Sequence, residues 1–415
     1  GLYRLYNAAA RVIPLFDLGS NYTDGKDSYV VKSTYQKNES GLQQGFFTNY
    51  DKQTDAFLNY GNMPINRTGF YKWAKIEKKD ADGTIYYDFK FENDKTAHKA
   101  GNTVINCIDI SASIEWNELL SESNIPEWYP QKITNSTTRA AAKDFLYAFV
   151  TEMLTQMDGD VIDYEVDHFL GLWDSAEGKN KAKEFAKWFT EACAVARKAA
   201  ADINKSDNLK LMVIYNRVTK LHRLGVEENQ WMLDVADAAD YIGLDSYDFY
   251  EDKTDASVTL ECIRFMMNNY SKGKPFMVVE NGAKMLKDLD AIDPVTGLTQ
   301  MQMATKYYKN LYREFRFALE RGDFLNANLS GFLFWSYYDT NDESETTLGI
   351  ANSDNTLRDN GIAMKEGIAS LYKQKQFNPS ILKTVSAVGE STPISVKSGT
   401  EYDEITIIAQ GSGHD

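Results

Sequence analysis

The sequence predicts an α/β fold, a (β/α)8 barrel with loop insertions and a short C-terminal appendage. Three observations point there. From about residue 100 onward, β-branched apolar runs alternate with amphipathic helical ones. Those runs are almost continuously apolar, as strands of a helix-covered parallel sheet are. The doubly wound sheet fits the same alternation, but the chain lacks the Gly-rich first turn (no GxGxxG, no P-loop) of its nucleotide-binding version. At 415 residues the chain is long for one ordinary domain, a length that barrels reach as single units.

The elements follow in order. Val12–Asp17 (VIPLFD) is the expected first strand and Met63–Thr68 a weaker second, after a helical run ending near Tyr60. Thr84–Phe91 alternates well but sits beside Asp82-Gly83, so it reads as an insertion at a loop. Thr103–Ile110 is the third strand. In the helix Arg139–Met157, Phe145, Phe149, Met153 and Met157 recur every four residues on one face. Asp160–Val166 is the fourth strand. Helix Lys181–Asn204 carries Ala182, Phe185, Phe189, Ala192, Ala196, Ala199 and Ile203 as its apolar stripe. Leu209–Tyr215 and Tyr241–Tyr247 are the fifth and sixth strands, and a helix between Asp255 and Gly273 can end at Gly273 and Pro275. Pro275–Glu280 is the seventh strand, a helix from about Met301 to Arg321 follows, and Leu329–Tyr337 is the eighth. Beyond about Pro379 the helical period is lost. The expected division is a barrel over residues 1–378 and a linker or short β appendage over 379–415.

Composition limits the partners. A formal net charge of −15 argues against nucleic acid and anionic membranes, which need clustered Lys and Arg. A neutral polysaccharide is compatible, and the 25 Tyr, 21 Phe and 7 Trp suit surfaces that grip sugars, although most aromatics in any protein are core. Cys107, Cys193 and Cys262 are too scattered for a CxxC site or a disulfide framework and read as buried free thiols. With four His and no HExxH, zinc chemistry is not expected, and no metal or cofactor is implied. No stretch reaches the ~18 uninterrupted apolar residues of a membrane span. The opening GLYRLYNAAA lacks a basic region followed by a long apolar one.

Ligands of parallel barrels bind at the C-terminal ends of the strands. Two carboxylates stand out there. Glu280 ends the apolar run PFMVVE, where its desolvation is costly unless it sits at a polar rim. Glu165 lies in DYEVDH at the end of the fourth strand, and a period of two puts Asp163, Glu165 and Asp167 on one face. Two carboxyl groups across a barrel mouth can cleave a glycoside. One attacks the anomeric carbon as an anion, while the other holds a proton for the leaving oxygen. The bland reading of either residue is a salt-bridge partner or a helix cap.

Several segments resemble the clan A glycoside hydrolases, retaining barrels with the acid/base on the fourth strand and the nucleophile on the seventh. VVENG (278–282) resembles the nucleophile motif. WAKIEKKDADGTIYYDFKFEND (73–94) resembles a stretch in the β-xylosidase-like and β-galactosidase-like families. IPEWYP (125–130), ADYIGLDSYDFY (239–250) and GFLFWSYYD (331–339) resemble segments on the third, sixth and eighth strands. The resemblance runs in order over roughly residues 10–375.

It implies a retaining O-glycosyl hydrolase with Glu280 as nucleophile and Glu165 as acid/base. Arg67 would hydrogen-bond the nucleophile and keep it ionised, and Tyr247 would donate to it. Trp335 would floor the sugar subsite, Trp128 would wall it, and Asn281 would line it. The family usually has Asn before the acid/base, to contact the sugar 2-hydroxyl. Here Tyr164 stands in that substrate-binding place, which leaves Asp163 and Asp167 as alternative acids. It also keeps open a non-catalytic carbohydrate-binding barrel; a lyase or isomerase on the same barrel fits less well. The expected partner is an oligosaccharide or polysaccharide, and the expected location is extracytoplasmic (periplasmic, cell-surface or secreted). The acidic loop of Asp339, Asp342, Glu343 and Glu345 reads as a solvated face.

Overall fold

The computed structural model describes residues 43–47, 65–99, 103–110, 124–157, 162–168, 176–215, 230–247, 251–320, 329–339 and 346–372. Strands β1 (Gln43–Phe47) and β2 (Ile65–Lys72) lead to a short helix α1 (Trp73–Ile76) and a hairpin of β3 (Glu77–Lys79) and β4 (Ile85–Tyr87). Next come α2 (Glu92–Lys99), β5 (Thr103–Asp109), α3 (Ser136–Gln156), β6 (Ile162–His168), α4 (Ala176–Asp202) and β7 (Leu209–Tyr215). The chain continues through α5 (Gln230–Ala238), β8 (Tyr241–Ser246), α6 (Ser257–Asn269), β9 (Phe276–Asn281), β10 (Met285–Leu286) and α7 (Gln300–Glu320). It ends, as far as described, with β11 (Leu329–Phe334), β12 (Thr346–Thr347) and α8 (Asp359–Tyr372).

The barrel is the closed ring β1-β2-β5-β6-β7-β8-β9-β11, in which β1 pairs in parallel with both β2 and β11. Each crossover from β2 onward carries a described helix; the connection from β1 to β2 lies outside the described residues. The expected first strand at Val12–Asp17 also lies outside them. Gln43–Phe47 (QQGFF) takes the first place in the barrel instead, and its two Gln and a Gly hide it from any search for apolar runs. The second strand is longer than expected. The Thr84–Phe91 segment falls outside the barrel, contributing β4 to the hairpin on β3. Residues 379–415 lie outside the described residues.

The helices form where apolar stripes and caps allow. Asn135 caps α3, its side chain accepting from the backbone N–H of Thr137 (3.0 Å) and Thr138 (3.2 Å). Along α4, Ala182, Phe185, Phe189, Ala192, Ala196 and Ala199 are all buried. Helix α7 buries Tyr307, Tyr308, Leu311, Tyr312 and Phe315 at helical spacing, and Phe315 meets Phe332 of β11 edge to face with ring centroids 4.7 Å apart. Gly367 of α8 lies so close to Tyr312 that a Cβ there would fall 2.2 Å from the ring. Inside the barrel, Ile105, Met212, Ile214, Met277, Val279 and Leu333 form a separate apolar plug. The site rests on that plug.

Cys107, Cys193 and Cys262 are buried and form no disulfide among the described residues. Among the described residues no helix is long and apolar enough to cross a membrane, and no group of His, Cys, Asp and Glu could hold a metal ion. Asp339 is exposed, as a solvated face requires, but it is also paired: Arg358 of α8 donates two hydrogen bonds to it (2.8 and 2.7 Å). The Arg358 hydrogen bonds hold its carboxyl below the usual 3.8. Asp342, Glu343 and Glu345 lie outside the described residues.

Candidate active site

Strand β9 brings Glu280 into the barrel mouth by an irregularity. Leu244 of β8 pairs with Val278, yet the next residue, Asp245, pairs with Glu280, so β9 carries one extra residue. Met277 and Val279 already face the plug. Strict alternation would turn Glu280 outward toward the helices. The bulge resets the alternation, and the Glu280 carboxylate joins groups on β2 and just beyond β8.

Arg67 Nη1 donates to Glu280 Oε1 at 2.5 Å, and the Tyr247 hydroxyl donates to Oε2 at 3.1 Å. The two contacts expected of Arg67 and Tyr247 are therefore both present. Arg67 is fully buried and Glu280 is 6% exposed. A guanidinium and a carboxylate hold each other there through a charge-assisted bond. Burial, and then the charge of Glu280, push the Tyr247 hydroxyl well above its usual value of 10, so it stays a proton donor at neutral pH.

Two further residues belong to this group. Asp245, 4% exposed, lies beside Glu280 in register and 4.0 Å from Arg67 Nη1. One cation thus serves two carboxylates. Arg67 Nε donates to the Cys107 Sγ at 2.8 Å, which fixes the guanidinium from its other side. Neither residue was a sequence candidate. Asp245 carries the signal that exposed Glu280, an acid ending an apolar run; nothing in the sequence marks Cys107.

Strand β6 places Glu165 by backbone register, its side chain lying outside the described residues. Its partners are Cys107 on β5 and Met212 on β7, one touching Arg67 and the other in the inner plug. A second bulge follows at once. Glu165 pairs with Met212, but Asp167 pairs with Val213, which packs in the core around the barrel. This corrects the expectation that Asp163, Glu165 and Asp167 share a face: the period of two breaks after Glu165. Tyr164 stands in register with Asn106, which is bonded to Asp94 of α2, and with Leu211 of the outer core. Arg67 also adjoins a register shift, between β2 and β5. Bulges accompany all three chemically interesting residues.

The remaining candidates divide. Trp335 is partly buried just beyond β11. Its backbone N–H donates to the Asn281 carbonyl at 2.9 Å, and its peptide bond to Ser336 is cis. Asn281 does not reach the mouth, which corrects its assignment to substrate. It is fully buried, its side-chain amide donating to the Ser246 carbonyl (2.8 Å) and the Tyr307 hydroxyl (2.9 Å) of α7. Its place after Glu280 on an alternating strand directs it to the helices. Trp128 is partly buried beyond β5, and its Nε1 donates to Glu77 at 2.9 Å.

Gly282 completes the nucleophile-like motif for a steric reason. A Cβ there would lie 2.3 Å from the Trp335 carbonyl oxygen. Gly282→Ala must therefore displace the Trp335 backbone, and we expect a loss of about 1–3 kcal/mol, read as a lower urea midpoint. An unchanged midpoint would show that the two segments separate freely.

Solved structures share this architecture. A fungal β-1,4-galactanase superposes with a TM-score of 0.50 at 13% identity, over 78% of this chain and 98% of the galactanase chain. An endo-1,4-β-xylanase from Caldicellulosiruptor owensensis gives 0.52 at 11%, over 79% and 97%. A glycoside hydrolase of family 5, subfamily 18, from Streptomyces cattleya in complex with GlcNAc gives 0.53 at 10%, over 81% of each chain. The chain shares the barrel fold of these glycoside hydrolases. No protein-family model matches the sequence, and none of the curated proteins matches it.

Proposed function

We propose that the chain is a glycoside hydrolase that cleaves a β-linked, neutral oligosaccharide or polysaccharide with retention. Glu280 is the nucleophile and Glu165 the acid/base. The observation that carries this reading is the Glu280 carboxylate, buried at the strand ends between Arg67 at 2.5 Å and Tyr247 at 3.1 Å. Arg67 keeps it anionic, and Tyr247, bonded to the other oxygen, fixes the plane of the carboxylate for attack.

In the first step Glu280 attacks the anomeric carbon, the glycosidic C–O bond breaks, and Glu165 gives its proton to the leaving oxygen. In the second, Glu165 takes a proton from water, the water oxygen attacks the same carbon, and Glu280 departs with the electrons of the ester bond. Trp335, beyond β11, offers an apolar face to the sugar at the cleavage point, and Trp128 a second one farther along. Support for a β-1,4-linked neutral substrate comes from the galactanase and xylanase that share the fold. For a polymeric substrate we propose a location outside the cytoplasm, in the periplasm, on the cell surface or secreted.

Proton NMR of the first product released from a β-linked oligosaccharide tests the mechanism. The β-anomer is expected before mutarotation. The α-anomer would overturn the retaining assignment, and saccharide binding with no hydrolysis would favour a binding barrel.

A further inference from the structure

Outside the Glu280 cluster, the described residues hold another buried carboxylate with an unusual set of partners. Glu77 opens the β3–β4 hairpin beyond β2 and is 1% exposed. Its Oε2 accepts from Trp73 Nε1 at 2.5 Å and its Oε1 from Trp128 Nε1 at 2.9 Å. The Tyr129 hydroxyl also hydrogen-bonds it; burial, and then that bond, raise Tyr129 well above its usual value. No Lys or Arg pairs with Glu77 among the described residues. Taking a carboxylate out of water without a cation is costly. An apolar side chain would pack among these rings without that cost.

What the carboxylate adds is direction. Trp73 is fully buried and stacks on Tyr129, centroids 5.3 Å apart and planes 26° apart. It is a foundation. Trp128, by contrast, is only partly buried, and the bond to Glu77 holds one edge of its indole. The loops after β2 and β5 are joined here as well, the Ala74 N–H donating to the Asn124 carbonyl at 2.9 Å. All these residues follow the C-terminal ends of neighbouring barrel strands, the end that carries Glu280.

The geometry points to Glu77 as a positioning residue that holds Trp128 as a preset platform for a sugar unit away from the cleavage point. A ring held in place before binding loses little freedom on stacking, so affinity gains from its rigidity. The ligand class is the CH-rich face of a pyranose in a β-linked chain too long for the cleavage subsite alone. This assignment rests on the glycosidase reading.

The test compares the full-length wild type with Glu77→Gln and Trp128→Phe, each checked for folding by its thermal midpoint. Gln cannot accept from both indoles, and Phe keeps a ring but loses the N–H. The substrates are β-1,4-xylohexaose or cellohexaose, whichever the wild type cleaves, and the nitrophenyl glycoside of the same sugar. For both variants KM for the hexasaccharide should rise about tenfold; for Glu77→Gln, kcat on the hexasaccharide and kcat/KM for the nitrophenyl glycoside should both stay within twofold. Equal losses on both substrates, or none on either, overturn the platform and leave the glycosidase reading intact. If the wild type binds a hexasaccharide without cleaving it, the glycosidase reading falls and the same tenfold change is sought in Kd by calorimetry. If the wild type neither binds nor cleaves either hexasaccharide, both fall.

Discussion

Replacing Glu280 by Gln should abolish turnover of an oligosaccharide, lowering kcat by at least about 10³-fold. The amide is close in shape, so the fold should persist, but it cannot form the glycosyl ester. Glu280→Gly makes the case sharper. It leaves a space beside Arg67 and Tyr247 that azide can enter. With a nitrophenyl β-glycoside, whose leaving group needs little acid assistance, azide should restore release of nitrophenol. The product should be the α-glycosyl azide, because a single displacement inverts the anomeric carbon. A Glu280→Gln enzyme with wild-type activity would remove the nucleophile assignment, and a β-glycosyl azide would argue for a different attacking group.

Arg67→Met should be the most damaging change outside the reacting carboxylates. Its guanidinium is fully buried, 2.5 Å from Glu280 and 4.0 Å from Asp245. Removing one partner of a buried ion pair typically costs about 3–5 kcal/mol, which a urea titration at neutral pH will read. Activity should fall with it, by about 10²-fold or more. The acid limb of kcat/KM should move to higher pH, since a nearby cation favours the charged carboxylate and its loss favours the protonated one. A double-mutant cycle separates the contact from general damage. In a Glu280→Gln background the stability penalty of Arg67→Met should shrink, because only Asp245 remains as a buried anion near the guanidinium. Strict additivity would mean that the two side chains do not depend on each other.

Much of the barrel is legible because its strands are apolar and its helices striped. LKLMVIY and PFMVVE announce themselves, as does the Ala and Phe stripe of α4. QQGFF does not, since a strand can be held by its neighbours' backbone bonds without an apolar sequence. Glu280 is legible as a charge ending an apolar run. Its orientation is not, because alternation alone sends it to the wrong face, and an extra residue in β9 corrects that only through pairing with β8. The grouping of Asp167 with Glu165 fails for the same reason. Asn281 reads as a site residue by standing next to one, whereas the hydroxyl of Tyr307, on a helix far along the chain, claims it for the fold. Contacts between distant segments, such as Arg67 with Cys107 or Glu77 with Trp128, leave no local trace in sequence.

The closed ring of strands has a consequence for how such a protein can change. A ring has no first or last strand, so every ladder is completed by a neighbour and none offers a free edge to another chain. The described open edges are confined to two small ribbons, β3–β4 and β10–β12, both beyond the C-terminal ends of barrel strands. Inheritance can therefore treat the two parts differently. The ring tolerates wholesale exchange of its apolar residues as long as volume is conserved, consistent with shared architecture at 10–13% identity. The ribbons and loops at the mouth can be lengthened, shortened or rewritten without reopening the ring, and a new substrate can be accommodated there by a lineage whose frame stays still.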